Sequence, residues 1–192
     1  MEILIWSDVM CPFCYIGKRK LEKAIAEIQS DEHINIVWKS FQLNPNLKTD
    51  PTKSLNEYLA QQKGWTDEYT LEASNHVTSV AKEVGLNYQL HKAVLANSMD
   101  AHRLSHLALK YGVQNELEEL LFKAYFEEGL NTADEKVLRT LGSKVSLPDQ
   151  QLDLLFTTDL FKKEVEEDML QAQQIGVQGV PFFVFNQKYA IS

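Results

Sequence analysis

The chain has 192 residues, of which 44% are hydrophobic and 24% charged, and its formal net charge is −8. This is ordinary globular composition, far from disordered or fibrous chains, and the length suffices to bury a core without disulfide help. The acidic balance, 19 Lys+Arg against 27 Asp+Glu, with no basic cluster, argues against nucleic acid or anionic lipid as a partner.

In chain order, Ile3 to Trp6 is a short apolar run that predicts a buried strand. No basic n-region or small-residue cleavage site precedes it, and no stretch approaches the roughly 18 apolar residues of a membrane span, so a soluble, cytoplasmic protein is expected. Cys11-Pro12-Phe13-Cys14 follows, and Pro12 suits the first turn of a helix because its missing N–H is not needed there. Leu21, Ala24, Ile25 and Ile28 then recur at helical spacing, and residues 34–41, rich in β-branched and aromatic types, predict a second strand. A strand-helix-strand unit implies that the two strands are parallel.

Residues 44–53, with Pro45 and Pro51, read as a linker. The pattern then turns helical for about a hundred residues. Ser54-x-x-Glu57 and Thr132-x-x-Glu135 carry capping-box signatures. Three stripes are each closed by a glycine: Tyr69, Ala73, Val77, Val80, Val84 before Gly85; Ala101, Leu104, Ala108, Tyr111 before Gly112; and Leu117, Leu120, Leu121, Ala124 before Gly129. Such stripes ordinarily mean core packing. A further helix is predicted over 159–175, with Phe161, Val165, Met169 and Ala172 inward, then a break at Gly176 to Gly179. Phe182 to Phe185 predicts a strand, Asn186-Gln187 a turn, and Lys188 to Ile191 a returning strand. The outline is an α/β core in two parts, 1–50 and 158–192, interrupted by an all-helical insertion over 51–157.

The only two cysteines are Cys11 and Cys14. A disulfide stabilises mainly by closing a long loop in the unfolded chain, and a bridge across two residues closes almost none, so the pair points to chemistry rather than stability. A cysteine at a helix start meets free N–H groups and the positive end of the dipole, which favour the nucleophilic thiolate. Spacing i, i+3 brings the second sulfur to the same face, placed to attack a mixed disulfide at the first. Cys11 is therefore expected to attack and Cys14 to resolve. The bland alternative is half of a zinc site, but structural zinc takes four ligands. His33, His76, His91, His102 and His106 offer no pair with ligand spacing, so no metal is expected.

Four motifs in order, Asp8-x-x-Cys11-Pro12-Phe13-Cys14-Tyr15, Phe41-Gln42-Leu43-Asn44-Pro45, Asn97-Ser98-x-x-Ala101-His102-Arg103 and Gly179-Val180-Pro181-Phe182-Phe183, give the chain its resemblance to the DsbA-like thioredoxin-fold oxidoreductases, FrnE-like branch. The resemblance spans the whole chain. It implies a thioredoxin fold with a helical insertion and a protein disulfide oxidoreductase or isomerase. It also implies a cis Pro181 beside the cysteines and a Val180 backbone that pairs with substrate. Asn97 and His102 would face the dithiol, with Asp8, Pro12 and Phe13 in support. No cofactor is implied beyond the redox-active Cys11–Cys14 disulfide, and glutathione stays open as a co-substrate. The implied partners are protein or small-molecule thiols and disulfides, and the implied assembly is a monomer or homodimer. Strongly oxidising relatives carry histidine between the cysteines, whereas Phe13 helps a thiolate less. The family also continues beyond the position of Ser192 with a turn and a final helix. The rival resemblance is to kappa-class glutathione transferases and 2-hydroxychromene-2-carboxylate isomerases, which usually carry serine at the position of Cys11 and lack the second thiol.

Overall fold

The computed structural model describes residues 1–28 and 33–192. Strand β1 (Glu2–Ser7) runs into helix α1 (Pro12–Glu27), and β2 (Asn35–Ser40) lies parallel to β1, from Glu2 opposite Asn35 to Ser7 opposite Ser40. The second half of the sheet comes from the far end of the chain. There β5 (Phe182–Phe185) pairs antiparallel with β1 and with β6 (Tyr189–Ile191), giving the order β2-β1-β5-β6. Asn186 and Gln187 both adopt positive φ, 48° and 56°, as the tight two-residue turn of a right-twisting hairpin requires.

Between the two halves lie α2 (Leu55–Lys63), α3 (Asp67–Glu83), α4 (Met99–Lys110), α5 (Gln114–Phe126), α6 (Glu135–Lys144) and α7 (Asp149–Thr157), with α8 (Lys162–Gln174) leading back to the sheet. Among the described residues, no helix is long and apolar enough to cross a membrane. Period-2 alternation splits the sheet's side chains between two cores. Ile3 and Ile5 pack with the helical block, while Trp6, with Leu4, Phe182 and Val184, packs with Ala172 and Val177 at the end of α8. An aromatic ladder ties the block to the first helix: Tyr15 stacks on Phe122 at 5.1 Å, and Tyr88 on Phe126 at 4.9 Å.

Polar contacts buried at the same seam fix the orientation. The Gln114 side chain accepts from the Trp38 N–H and donates to the Trp38 carbonyl, both at 2.9 Å. Asp168 on α8 accepts from the Ser40 N–H at 2.9 Å and from Lys39, and lies 3.1 Å from His106 Nε2 on α4.

Several elements differ from the sequence expectation. The segment read as a linker contains β3 (Asp50–Ser54), irregularly paired with the two-residue β4 (Val94–Leu95), so the stretch between the core halves is not wholly helical. The Ser54–Glu57 capping box forms in both directions. That of Thr132 and Glu135 does not, because Asp134 caps α6 through the N–H groups of Lys136 and Val137 and Thr132 lies fully buried before it. The stripe on α3 is only half-buried: Ala73 and Val77 face a cavity instead of a filled core, and Tyr69 is exposed against Trp65.

Candidate active site

The site forms where β1 meets α1. Cys11 is the N-cap of α1 with extended backbone, and Pro12 follows at the first helical position. The Cys11 N–H donates to the Asp8 carbonyl at 2.9 Å, and the Cys14 N–H to the Cys11 carbonyl at 3.0 Å. Both cysteines are free thiols. The Cys11 sulfur makes no capping bond to its own helix, and instead its S–H donates to the Val180 carbonyl at 3.3 Å. A protonated thiol seeks an acceptor, and this carbonyl supplies it. The Val180–Pro181 peptide bond is cis. Close approach of this loop depends on Gly17 one turn into α1, where a Cβ would meet Pro181 Cγ at 3.0 Å and Phe183 Cζ at 3.1 Å.

Cys14 lies one turn deeper and is fully buried. Burial pushes its thiol well above the ordinary range, the neighbouring Cys11 adds to the rise, and Ser7 and the Asp8 backbone oppose it. The pair is therefore asymmetric: Cys11 borders a cavity and Cys14 does not.

The Asp8 carboxylate organises the loops around the dithiol. It accepts from the Met10 N–H at 3.2 Å and from the Leu43 N–H at 2.7 Å. His102 Nε2, from α4, stands 3.6 Å from Asp8 Oδ1, an ion-pair separation. Burial alone would lower the His102 pKa, but Asp8, with Glu118 and Asp168 behind it, raises it above the usual histidine value. His102 thus reaches the dithiol loop through Asp8. Asn97 acts on a neighbouring loop: its amide donates to the Leu47 carbonyl at 2.8 Å and accepts from Gln42 Nε2 at 3.1 Å. Neither His102 nor Asn97 lines the cavity.

Sequence reasoning missed Tyr88, whose hydroxyl donates to the Pro12 carbonyl at 2.6 Å and so ties the insertion to the Cys-Pro-Phe-Cys turn. A tyrosine just past a helix-ending glycine looks like any core aromatic, and nothing in its spacing marks this role. Also missed was Glu118, buried beneath the site with its carboxyl pushed up by burial and bonded by Ser105 at 2.6 Å.

The cavity beside Cys11 has a volume of about 700 Å³. Met10, Phe13, Leu47, Leu59, Trp65 and Val77 give its walls their apolar character, and Val180 borders it near Cys11. This size lies in the range of small-molecule sites.

Against known proteins, the chain is 28% identical to the crystal structure of the probable DsbA oxidoreductase SCO1869 from Streptomyces coelicolor, with a TM-score of 0.90 over 100% of this chain and 83% of that one. It is 24% identical over 186 residues to the uncharacterized protein YwbO of Bacillus subtilis (strain 168), covering 96% of this chain and 86% of that protein. The fold is shared with the cytosolic disulfide reductase DsbM from Pseudomonas aeruginosa at 14% identity and a TM-score of 0.72, over 100% of this chain and 89% of that one. DsbM has also been solved with GSH. The DSBA-like thioredoxin domain model matches residues 2–192, so the chain belongs to the DSBA-like thioredoxin domain family.

Proposed function

We propose that the protein is a thiol–disulfide oxidoreductase in which Cys11 attacks and Cys14 resolves. The observation that carries this reading is the asymmetry of the dithiol: both thiols are buried, but Cys11 borders a cavity at a helix start and Cys14 does not. The Cys11 thiolate attacks a substrate disulfide, a Cys11–substrate bond forms, and the far substrate sulfur leaves as a thiolate. Cys14 then gives up its proton and attacks the Cys11 sulfur, closing the Cys11–Cys14 disulfide and releasing the second thiol. Two electrons pass to the substrate, and the reverse sequence oxidises a dithiol. The redox carrier is the cysteine pair itself. Burial keeps Cys14 protonated, and so inactive as a competing nucleophile, until the mixed disulfide has formed.

The Val180 backbone beside the attacking sulfur supports pairing with an extended substrate segment, a form of β-augmentation. Half-exposed Phe13 between the cysteines favours reduction or isomerisation over strong oxidation. A cytoplasmic location agrees with the fold shared with cytosolic DsbM. In Cys14→Ser the resolving step is blocked, so attack of Cys11 on an intact disulfide of insulin leaves a stable Cys11–insulin mixed disulfide, with the other insulin sulfur released as a thiol, visible by mass spectrometry. Iodoacetamide added to the reduced wild-type protein labels Cys11 first. Preferential labelling of Cys14, or trapping by Cys11→Ser in place of Cys14→Ser, would reverse the assigned roles.

A further inference from the structure

We infer that the preferred substrate is a disulfide carrying a bulky apolar arm, seated in the cavity beside Cys11, and that glutathione is a poor fit there. The inference rests on the disulfide exchange proposed above and specifies its substrate. Val180 pairing would hold only the chain on either side of a substrate disulfide, and a cavity of about 700 Å³ is far more room than that pairing uses. Its character comes from the α2–α3 hairpin. Leu59, Trp65, Ala73 and Val77 turn towards open space, although apolar helix faces normally close on a core. An apolar wall left unfilled in the free protein is stabilised by an apolar occupant.

Charge excludes the polar alternative. Among the described residues lining the cavity, Lys63 is the only charged side chain. Glutathione brings carboxylates and an ammonium, and entry here would strip their hydration with a single cation as partner. An aryl or branched alkyl group meets no such penalty. The chemistry is ordinary exchange: the Cys11 thiolate attacks the sulfur bearing the apolar arm, the other sulfur departs as a thiolate, and Cys14 then closes on Cys11 and frees the apolar thiol.

The test uses one cysteine peptide as its mixed disulfide with phenylpropanethiol, with mercaptopropionate or with glutathione. Each enzymatic kcat/KM is divided by the rate of uncatalysed exchange with dithiothreitol, which removes leaving-group differences. The aromatic disulfide should be preferred about tenfold or more, the scale of discrimination an apolar pocket provides. Val77→Asp, on the α3 wall of the cavity, should collapse that preference to near unity. Ser74→Trp, which fills the same space without adding charge, should do the same, and together they guard against a folding defect in either one. Equal or inverted preference among disulfides that are all turned over would overturn the cavity assignment while leaving the oxidoreductase intact. Failure of every disulfide to exceed uncatalysed exchange would overturn the proposed activity itself.

Discussion

Asp8 and His102 face each other in a space closed to water, and the strength of that pair depends on pH. The folded His102 pKa is raised, so the stability the pair contributes is complete below the unfolded value of about 6.5 and is lost as pH rises through the folded value. Melting temperature should therefore fall as pH rises above about 6.5, and His102→Gln should flatten that slope. An unchanged slope in the variant would assign the pH dependence to another group. Tyr88 acts on the same turn from the opposite side. Tyr88→Phe keeps the stacking on Phe126 and loses only the bond to Pro12, so it should cost about 1 kcal/mol in urea titration and slow disulfide exchange. The bond to Pro12 had no sequence signal, whereas the Asp8-x-x-Cys spacing at least placed Asp8 beside the dithiol. What a motif cannot convey is that the Asp8 carboxylate is shared between the cysteine loop, Leu43 and α4.

At the scale of elements, α1 can lie against the Pro181 loop because position 17 has no side chain. Gly17→Val would drive two methyl groups into Pro181 and Phe183, so a loss of about 1–3 kcal/mol in stability is expected from overpacking. The exchange rate should fall with it, since the loop and α1 present Val180 and Cys11 to each other. Retained stability with unchanged exchange would show that the loop simply shifts aside. The elements that sequence periodicity foretold best are those whose partners lie close along the chain: the first strand and helix, the Ser54 cap, and the hairpin at Asn186-Gln187. The pairing of β3 with β4 escaped it because β4 has only two residues and its partner strand ends some forty residues earlier. Periodicity also shows that α3 has an apolar face, but not whether that face meets a core or a cavity. That depends on how far α2 and α3 stand from the sheet.

Across the whole molecule, the insertion and the two-part core are joined by buried polar contacts as well as by apolar packing. Asp168 is the clearest case: burial would raise its pKa, yet His106, Lys39 and the Ser40 N–H hold it below the usual carboxylate value. Its contribution is present above the unfolded value and is lost as pH falls through the folded one. Asp168→Asn should destabilise by about 1–3 kcal/mol, since it leaves half-buried Lys39 and buried His106 without their carboxylate. Far- and near-ultraviolet circular dichroism should report one coincident transition, because the seam couples both parts. Two separate transitions would show that the insertion folds apart from the core.

The two bonds from Gln114 to Trp38 have a consequence for solubility. Among the described residues β2 has a neighbouring strand on one side only, and a side-chain amide occupies the other side as a second peptide group would. A free strand margin is a template on which another chain can build. The helical insertion thus acts as a built-in guard against intermolecular sheet growth. Joining residues 1–50 directly to 158–192 would remove that guard together with the cavity, and the resulting core should self-associate in light scattering even where its own sheet still forms.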